Sequence, residues 1–243
     1  KLMLNHKMKA HHIQAAITYK FENIKEKSKE YEMRDSSGYS LPHSSDALNL
    51  IYTMSSNNTL DSKRFESYIQ DTYKFKNGET FYTLNYGVRF SHWDFNKENL
   101  FSPRISLGII PAFNQNFTFR FATGLYYQTP FYKELRDTTT INGVTYASLN
   151  KNIKSQRSIH FLAAMDYKFK VNNRPYKFTA EAYYKALSDI IPYNVSNVKI
   201  VYYGKNLSDG YAAGLDMKLY GEFVPGTDSW ISLSLMRTQE KLN

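Results

Sequence analysis

The stretch from Ser102 to Asp137 constrains the fold more than any other part of the chain. Ile105, Leu107 and Ile109 alternate with Arg104, Ser106 and Gly108, and after a turn Phe117, Phe119, Phe121 and Leu125 alternate with Thr118, Arg120, Ala122 and Gly124. A period of two belongs to extended strands, whose successive side chains leave opposite faces. Each strand then has one face of large apolar side chains and one of Arg, Ser, Thr and Gly. An apolar face so aromatic and continuous must lie against a core or against lipid. The second strand ends at Pro130, which has no N–H to give a ladder.

The same period recurs along the chain. Leu2 to His6 reads as the tail of a strand, and apolar residues repeat at Ile13, Ala15, Ile17, Tyr19 and Phe21. They repeat again in Tyr82 to Phe90, Ile159 to Phe169, Phe178 to Tyr184 and Tyr211 to Leu219, and a last strand is expected over Trp230 to Arg237. Arg64 to Lys76 is extended but mixed on both faces, which leaves its register open. Glu22 to Asp61, rich in Lys, Glu, Ser and Asn, reads as a loop of roughly forty residues, long for a compact soluble domain. Connections are short at Lys7, Asn77, Pro111, Asn172 and Pro225 and longer at Glu22, Asp94, Thr129 and Asp189, so short and long alternate. Tight turns at one end of an up-and-down sheet and long loops at the other are what outer-membrane barrels show, the short turns facing the periplasm. Aromatic pairs bracket the short turns (Phe75 and Phe81, Phe113 and Phe117, Phe169 and Tyr176, Phe223 and Trp230), as an interfacial girdle requires.

With 243 residues the chain has room for one all-β unit, and residues 1–243 read as a single domain. No run approaches the length of a transmembrane helix. The mean hydropathy of −0.54 speaks for solubility in most folds, but a barrel escapes that test because only alternate residues meet lipid. A formal charge of +9 is spread over turns, loops and polar strand faces without a basic patch, which argues against nucleic acid. None of the six His residues has ligand spacing, and there is no GxSxG, P-loop, GxGxxG or Cys nucleophile. The expectation is therefore a protein that is not an enzyme and that holds neither a metal nor a cofactor. The polar strand faces carry Arg89, Arg104, Arg120, His160, Asp166, Glu181, Asp216 and Lys218. These would line a barrel lumen or, in a soluble sandwich, form the solvated face.

SPR at Ser102, the aromatic strand with Arg120 and Gly124, and TPFYKEL with Pro130, Glu134 and Leu135 together resemble the barrel of TonB-dependent outer-membrane receptors. SYIQDTY with YGVR is similar to the strand pair before that motif. FTAEAYYK and GYAAGLDMKLYGEF are similar to the family's Bacteroidetes branch. The resemblance implies an antiparallel transmembrane β-barrel of about 22 strands around a plug domain, of which this chain is an internal segment of about nine to ten strands. Plug, signal peptide and closing strand are all expected to lie outside it. It further implies an outer-membrane location with long loops extracellular, and uptake of a scarce or large solute energised by the TonB complex through the plug. Outer-membrane lipid is the expected surrounding, and the resemblance leaves room for a surface lipoprotein partner. Ligand capture falls to the loops from Glu22, Thr129 and Asp189, with Tyr126, Gln128, Tyr132, Arg136, Tyr193 and Tyr203 as candidate contacts. The competing reading is a soluble or surface-attached β-sheet module, such as a carbohydrate binder using its many Tyr.

Overall fold

The structure is a computed structural model and describes residues 1–34, 49–196 and 199–243. Ten strands form one antiparallel wall: β1 (Leu2–Met8), β2 (His11–Arg34), β3 (Asn49–Asn77), β4 (Thr80–Trp93), β5 (Glu98–Ile110), β6 (Phe117–Gln128), then, after two short strands, β9 (Gln156–Val171), β10 (Arg174–Ile190), β13 (Ser208–Val224) and β14 (Thr227–Leu242). The connection after β6 holds a 3₁₀ turn (Tyr132–Leu135) and the hairpin β7 (Arg136–Ile141) and β8 (Val144–Leu149). The connection after β10 holds a separate small hairpin, β11 (Tyr193–Ser196) and β12 (Lys199–Tyr202). Consecutive wall strands are neighbours throughout, so the topology is up-and-down, with β1 and β14 at the two edges.

Directly opposed residues share a face of a sheet, and the register sorts the wall into two. One outward row runs Leu84, Leu107, Phe121, Ala163, Ala182, Leu215 and Leu235. No described residue packs over this face: Ile105, Phe121 and Phe161 are 47%, 48% and 53% exposed. Among the described residues the only other sheet is the β11–β12 hairpin, so the two packed layers of a sandwich are absent. Aromatic rings cluster near the short turns on this face: Phe75 stacks on Tyr82, Phe117 on Tyr167 and Phe169 on Tyr176. Two of the expected pairs are exchanged. Phe81 faces the other way and takes Lys76 over its ring, and Phe223 meets Tyr176 while Trp230 lies under Lys218. The cause is parity, since Phe81 and Tyr82 are adjacent in β4 and only one can point outward.

The expectation of a loop over Glu22–Asp61 is corrected. β2 and β3 stay paired from His11–Tyr73 up to Arg34–Asn49, and residues 35–48, the middle of that stretch, lie outside the described residues. The apolar alternation stops at Phe21, but a different one continues. Lys25, Lys27 and Lys29 are exposed on the outward face, whereas Glu22, Glu26 and Glu30 alternate with them on the inward face. A hairpin projecting beyond the apolar band needs no apolar face, so hydropathy alone misses it. The last strand likewise runs past the expected end at Arg237 to Leu242.

Candidate functional site

Inward side chains divide into a lower, neutralised network and an upper, cationic one. In the lower network Asp166 takes Arg120 Nη1 at 2.5 Å and the Thr179 hydroxyl at 2.8 Å, with Lys177 Nζ at 3.3 Å. This fastens β6, β9 and β10 through one nearly buried carboxylate. Glu181 and Asp216 sit directly opposite each other, and Lys218 follows two residues along β13.

Higher up, the Arg104 guanidinium lies 4.2 Å over the Tyr126 ring, and the same ring stacks on His160 at 4.2 Å. Gly124 separates Arg104 from His160 in the register. A Cβ there would meet Arg104 Cγ at 3.0 Å and the Tyr126 ring at 3.1 Å, so the stack relies on the missing side chain. Arg89 and Gln128 are exposed on the same face.

The connections between β6 and β9 and after β10 fold back over the upper inward face. Leu60 of β3, Trp93 of β4, Leu135, Ile153 and Ile191 form a small core, each at most 3% exposed. Around it lie polar contacts. Ser155 donates its hydroxyl to Glu98 Oε2 at 2.6 Å, and Asn206 donates to the Asp189 and Lys154 carbonyls. Asn150 donates to the Gly204 carbonyl. Gly204 has φ +66° and passes so close to the Arg136 backbone that a Cβ has no space, so only glycine serves this crossing. The long connections thus meet at one end of the wall.

Of the expected contacts, Tyr132 and Arg136 are anchored. Tyr132 donates its hydroxyl to Glu26 Oε2 at 2.8 Å, Ser56 donates to the same oxygen at 2.9 Å, and Arg136 Nη1 lies 3.4 Å from Glu26 Oε1. β8 adds a short parallel pairing with β3 beside them. Burial opposes ionisation of Glu26, but the hydrogen bonds from Tyr132 and Ser56 and the Arg136 charge outweigh it and hold the carboxyl below its ordinary range. Burial and the Glu26 hydrogen bond push the Tyr132 phenol up to about 12. Glu134 is raised by burial, against hydrogen bonds from the Phe131 N–H and Gln156. Tyr126 belongs to the cationic stack, while Tyr193 and Tyr203 stay exposed at 58% and 51%. The structure therefore brings Tyr132 and Arg136 together on Glu26 and leaves the other four apart. Sequence reading missed Glu26 and Glu98 as anchors, although the Lys/Glu alternation from Lys25 to Glu30 was the available signal.

One polar group breaks the outward band. Asp71 accepts hydrogen bonds from the Tyr86 hydroxyl at 2.9 Å and the His12 N–H at 3.1 Å, and its Oδ2 lies 2.6 Å from His11 Nδ1. His11 also stacks on Tyr73. This explains the mixed faces of the Arg64–Lys76 stretch: its carboxylate is outward but closed off by β2 and β4.

Comparison with solved structures returns the same architecture. A point mutant of the ferric enterobactin receptor PfeA from Pseudomonas aeruginosa superposes with a TM-score of 0.65 at 14% identity, over 96% of this chain and 34% of that one. Another PfeA mutant from the same organism, in complex with enterobactin, gives 0.63 at 14% identity over 96% and 34%. The outer membrane transporter YddB from Escherichia coli gives 0.63 at 14% identity over 98% and 32%. The chain therefore spans about a third of the length of these structures. No curated protein matches the chain. The family model for the TonB dependent receptor-like β-barrel matches residues 14–239, nearly the whole wall, and the chain belongs to that family.

Proposed function

We propose that this chain is part of the wall of a single outer-membrane barrel in a receptor that takes up a scarce or large solute from outside the cell. The observation that carries the reading is the outward apolar face, which is continuous across the wall and uncovered, opposite a polar inward face with long connections docked over its upper end. Such a face needs lipid, since an exposed apolar patch of this extent is not kept in water. Family membership supports energising by the TonB complex through a plug, and the FTAEAYYK and GYAAGLDMKLYGEF stretches support the Bacteroidetes branch. The long connections then face the exterior, with Tyr126, Gln128, Tyr193 and Tyr203 available to solute. Tyr132 and Arg136 act as anchors of the β7–β8 connection. The inward charges Arg89, Arg104, Arg120, His160, Asp166, Glu181, Asp216 and Lys218 line the lumen.

The test uses the complete receptor in intact cells, with single cysteines and a membrane-impermeant thiol reagent. A cysteine at Thr139, in β7, is expected to label, and one at Asn77, in a short turn, is not. Equal labelling of both refutes the orientation, and recovery of the receptor in the soluble fraction refutes the membrane reading.

A further inference from the structure

Some inward cations of the wall are neutralised within the chain, as Arg120 and Lys177 are by Asp166. Another row has no carboxylate beside it. Across β4 to β10 the register sets Gly87, Arg104, Gly124, His160 and Lys185 side by side on the inward face. Among the described residues, none of Arg104, His160 and Lys185 forms a salt bridge. Two residues up or down each of these five strands, on the same face, comes Arg89 but no Asp or Glu. The row therefore presents the Arg104 and Lys185 charges to the interior with no anionic side chain of its own strands next to them, leaving that charge open to an anion.

The row is also built to stay in place. Arg104 and His160 grip the two faces of the Tyr126 ring, in space that Gly124 leaves free, and Lys185 lies 5.4 Å from the Tyr183 ring. Charged groups held on aromatic faces lose little side-chain freedom when a ligand arrives. Ser158, directly across the ladder from Tyr126, has a buried hydroxyl with no hydrogen-bond partner, so the polar complement of this patch is incomplete.

We propose that the Arg104–Tyr126–His160–Lys185 row is a binding site for a polyanionic solute. The inference rests on the lumen reading given above and names its ligand class. Arg104 and Lys185 stand three strand intervals apart, about 14 Å at the usual spacing of paired strands. A single carboxylate cannot bridge that span. The solute must carry at least two anionic groups separated by about a nanometre, one taken by the Arg104 guanidinium and one by the Lys185 ammonium, with its body across the inward edges of the Tyr126 and His160 rings.

The experiment measures fluorescence anisotropy of a pyrene trisulfonate, a planar trianion, with the complete receptor in detergent micelles, and uses an uncharged hydroxypyrene as control. The wild type is expected to bind the trianion in a salt-sensitive manner and not the neutral dye. R104Q/K185Q is expected to weaken binding at least tenfold, each single variant severalfold, and the outward-face variant R237Q not at all. Unchanged thermal unfolding of the double variant shows that the wall is intact. If a double variant that unfolds at a lower temperature complicates the comparison, R104K with K185R, which keeps the charges, must restore binding. The proposal is overturned if the wild type does not bind the trianion, if the neutral dye binds equally, or if the double variant binds as the wild type does. These outcomes are separable from failure of the lumen reading, which shows in the cysteine labelling and not in dye binding.

Discussion

Replacing Leu135 with Ala should release the β7–β8 connection without unfolding the wall. Leu135 is fully buried and packs with Leu60, Trp93, Ile153 and Ile191. A Leu→Ala change at such a site costs about 2–5 kcal/mol, the transfer term plus the cavity left behind. The core is small and formed by connections, so its neighbours can partly collapse, and a value of about 3 kcal/mol is the reasoned choice. Each 1.4 kcal/mol is tenfold in an equilibrium constant, so local opening should become roughly a hundredfold more frequent. The ladder of β9, β10 and β13 does not pass through Leu135 and should keep its protection. Hydrogen exchange on the complete receptor in micelles reads both regions at once. Faster exchange confined to residues 132–149, with β9 and β10 unchanged, is the expected result. Unchanged exchange in 132–149, or an equal rise in β9 and β10, refutes the reasoning that this core clamps the connection independently of the wall.

Leu84 stands in the middle of the outward band, and Leu84→Arg should cost about 2–4 kcal/mol if it lies at the bilayer midplane, read from refolding into lipid vesicles; no loss of stability there would contradict the lipid-facing assignment. The Glu26 anchor, on the hairpin beyond the apolar band, should be acid-sensitive. Its folded pKa is depressed, so its contribution is complete above the ordinary glutamate value of 4.5 and is lost as pH falls through the folded value. Glu134 has the opposite sign, its contribution being complete below 4.5 and lost as pH rises through its raised folded pKa, so it resists acid loosening. Exchange in residues 132–149, corrected for intrinsic rates, should therefore rise on acidification in the wild type and do so much less in Glu26→Gln; the same response in both would remove Glu26 from the role.

The faces of β4, β6, β9, β10 and β13 were readable because each carries an uninterrupted apolar alternation, and one-residue parity then fixes every side chain. β3 resists because Asp71 sits on its apolar face, and the hydrogen-bond partners of its carboxylate come from His11, sixty positions earlier, and from Tyr86. No local window holds that information. The upper half of the β2–β3 hairpin reads as a loop in sequence because both of its faces are polar, although the alternation of Lys and Glu is present. The stack at Arg104 also needed the register: Tyr126 was a candidate contact and Arg104 and His160 were lumen residues, but only the β5–β6–β9 pairing shows that one ring serves both. Anchoring of Tyr132 and Arg136 by Glu26 depends on residues more than a hundred positions apart, which spacing cannot express.

The Asp71 cluster has a consequence for assembly. Strands of an inserting barrel can pair out of step, and a slip of one residue on β3 would leave most backbone hydrogen bonds formed, so backbone energetics alone scarcely discriminate against it. Asp71 discriminates strongly. Only the native register delivers the His12 N–H, the His11 ring and the Tyr86 hydroxyl to its carboxylate. Any other register either strands a bare carboxylate against hydrocarbon or turns the outward apolar residues of β3 into the lumen. A single polar residue in the wrong-looking place thus serves as a proofreading mark, penalising any misaligned pairing of β2, β3 and β4.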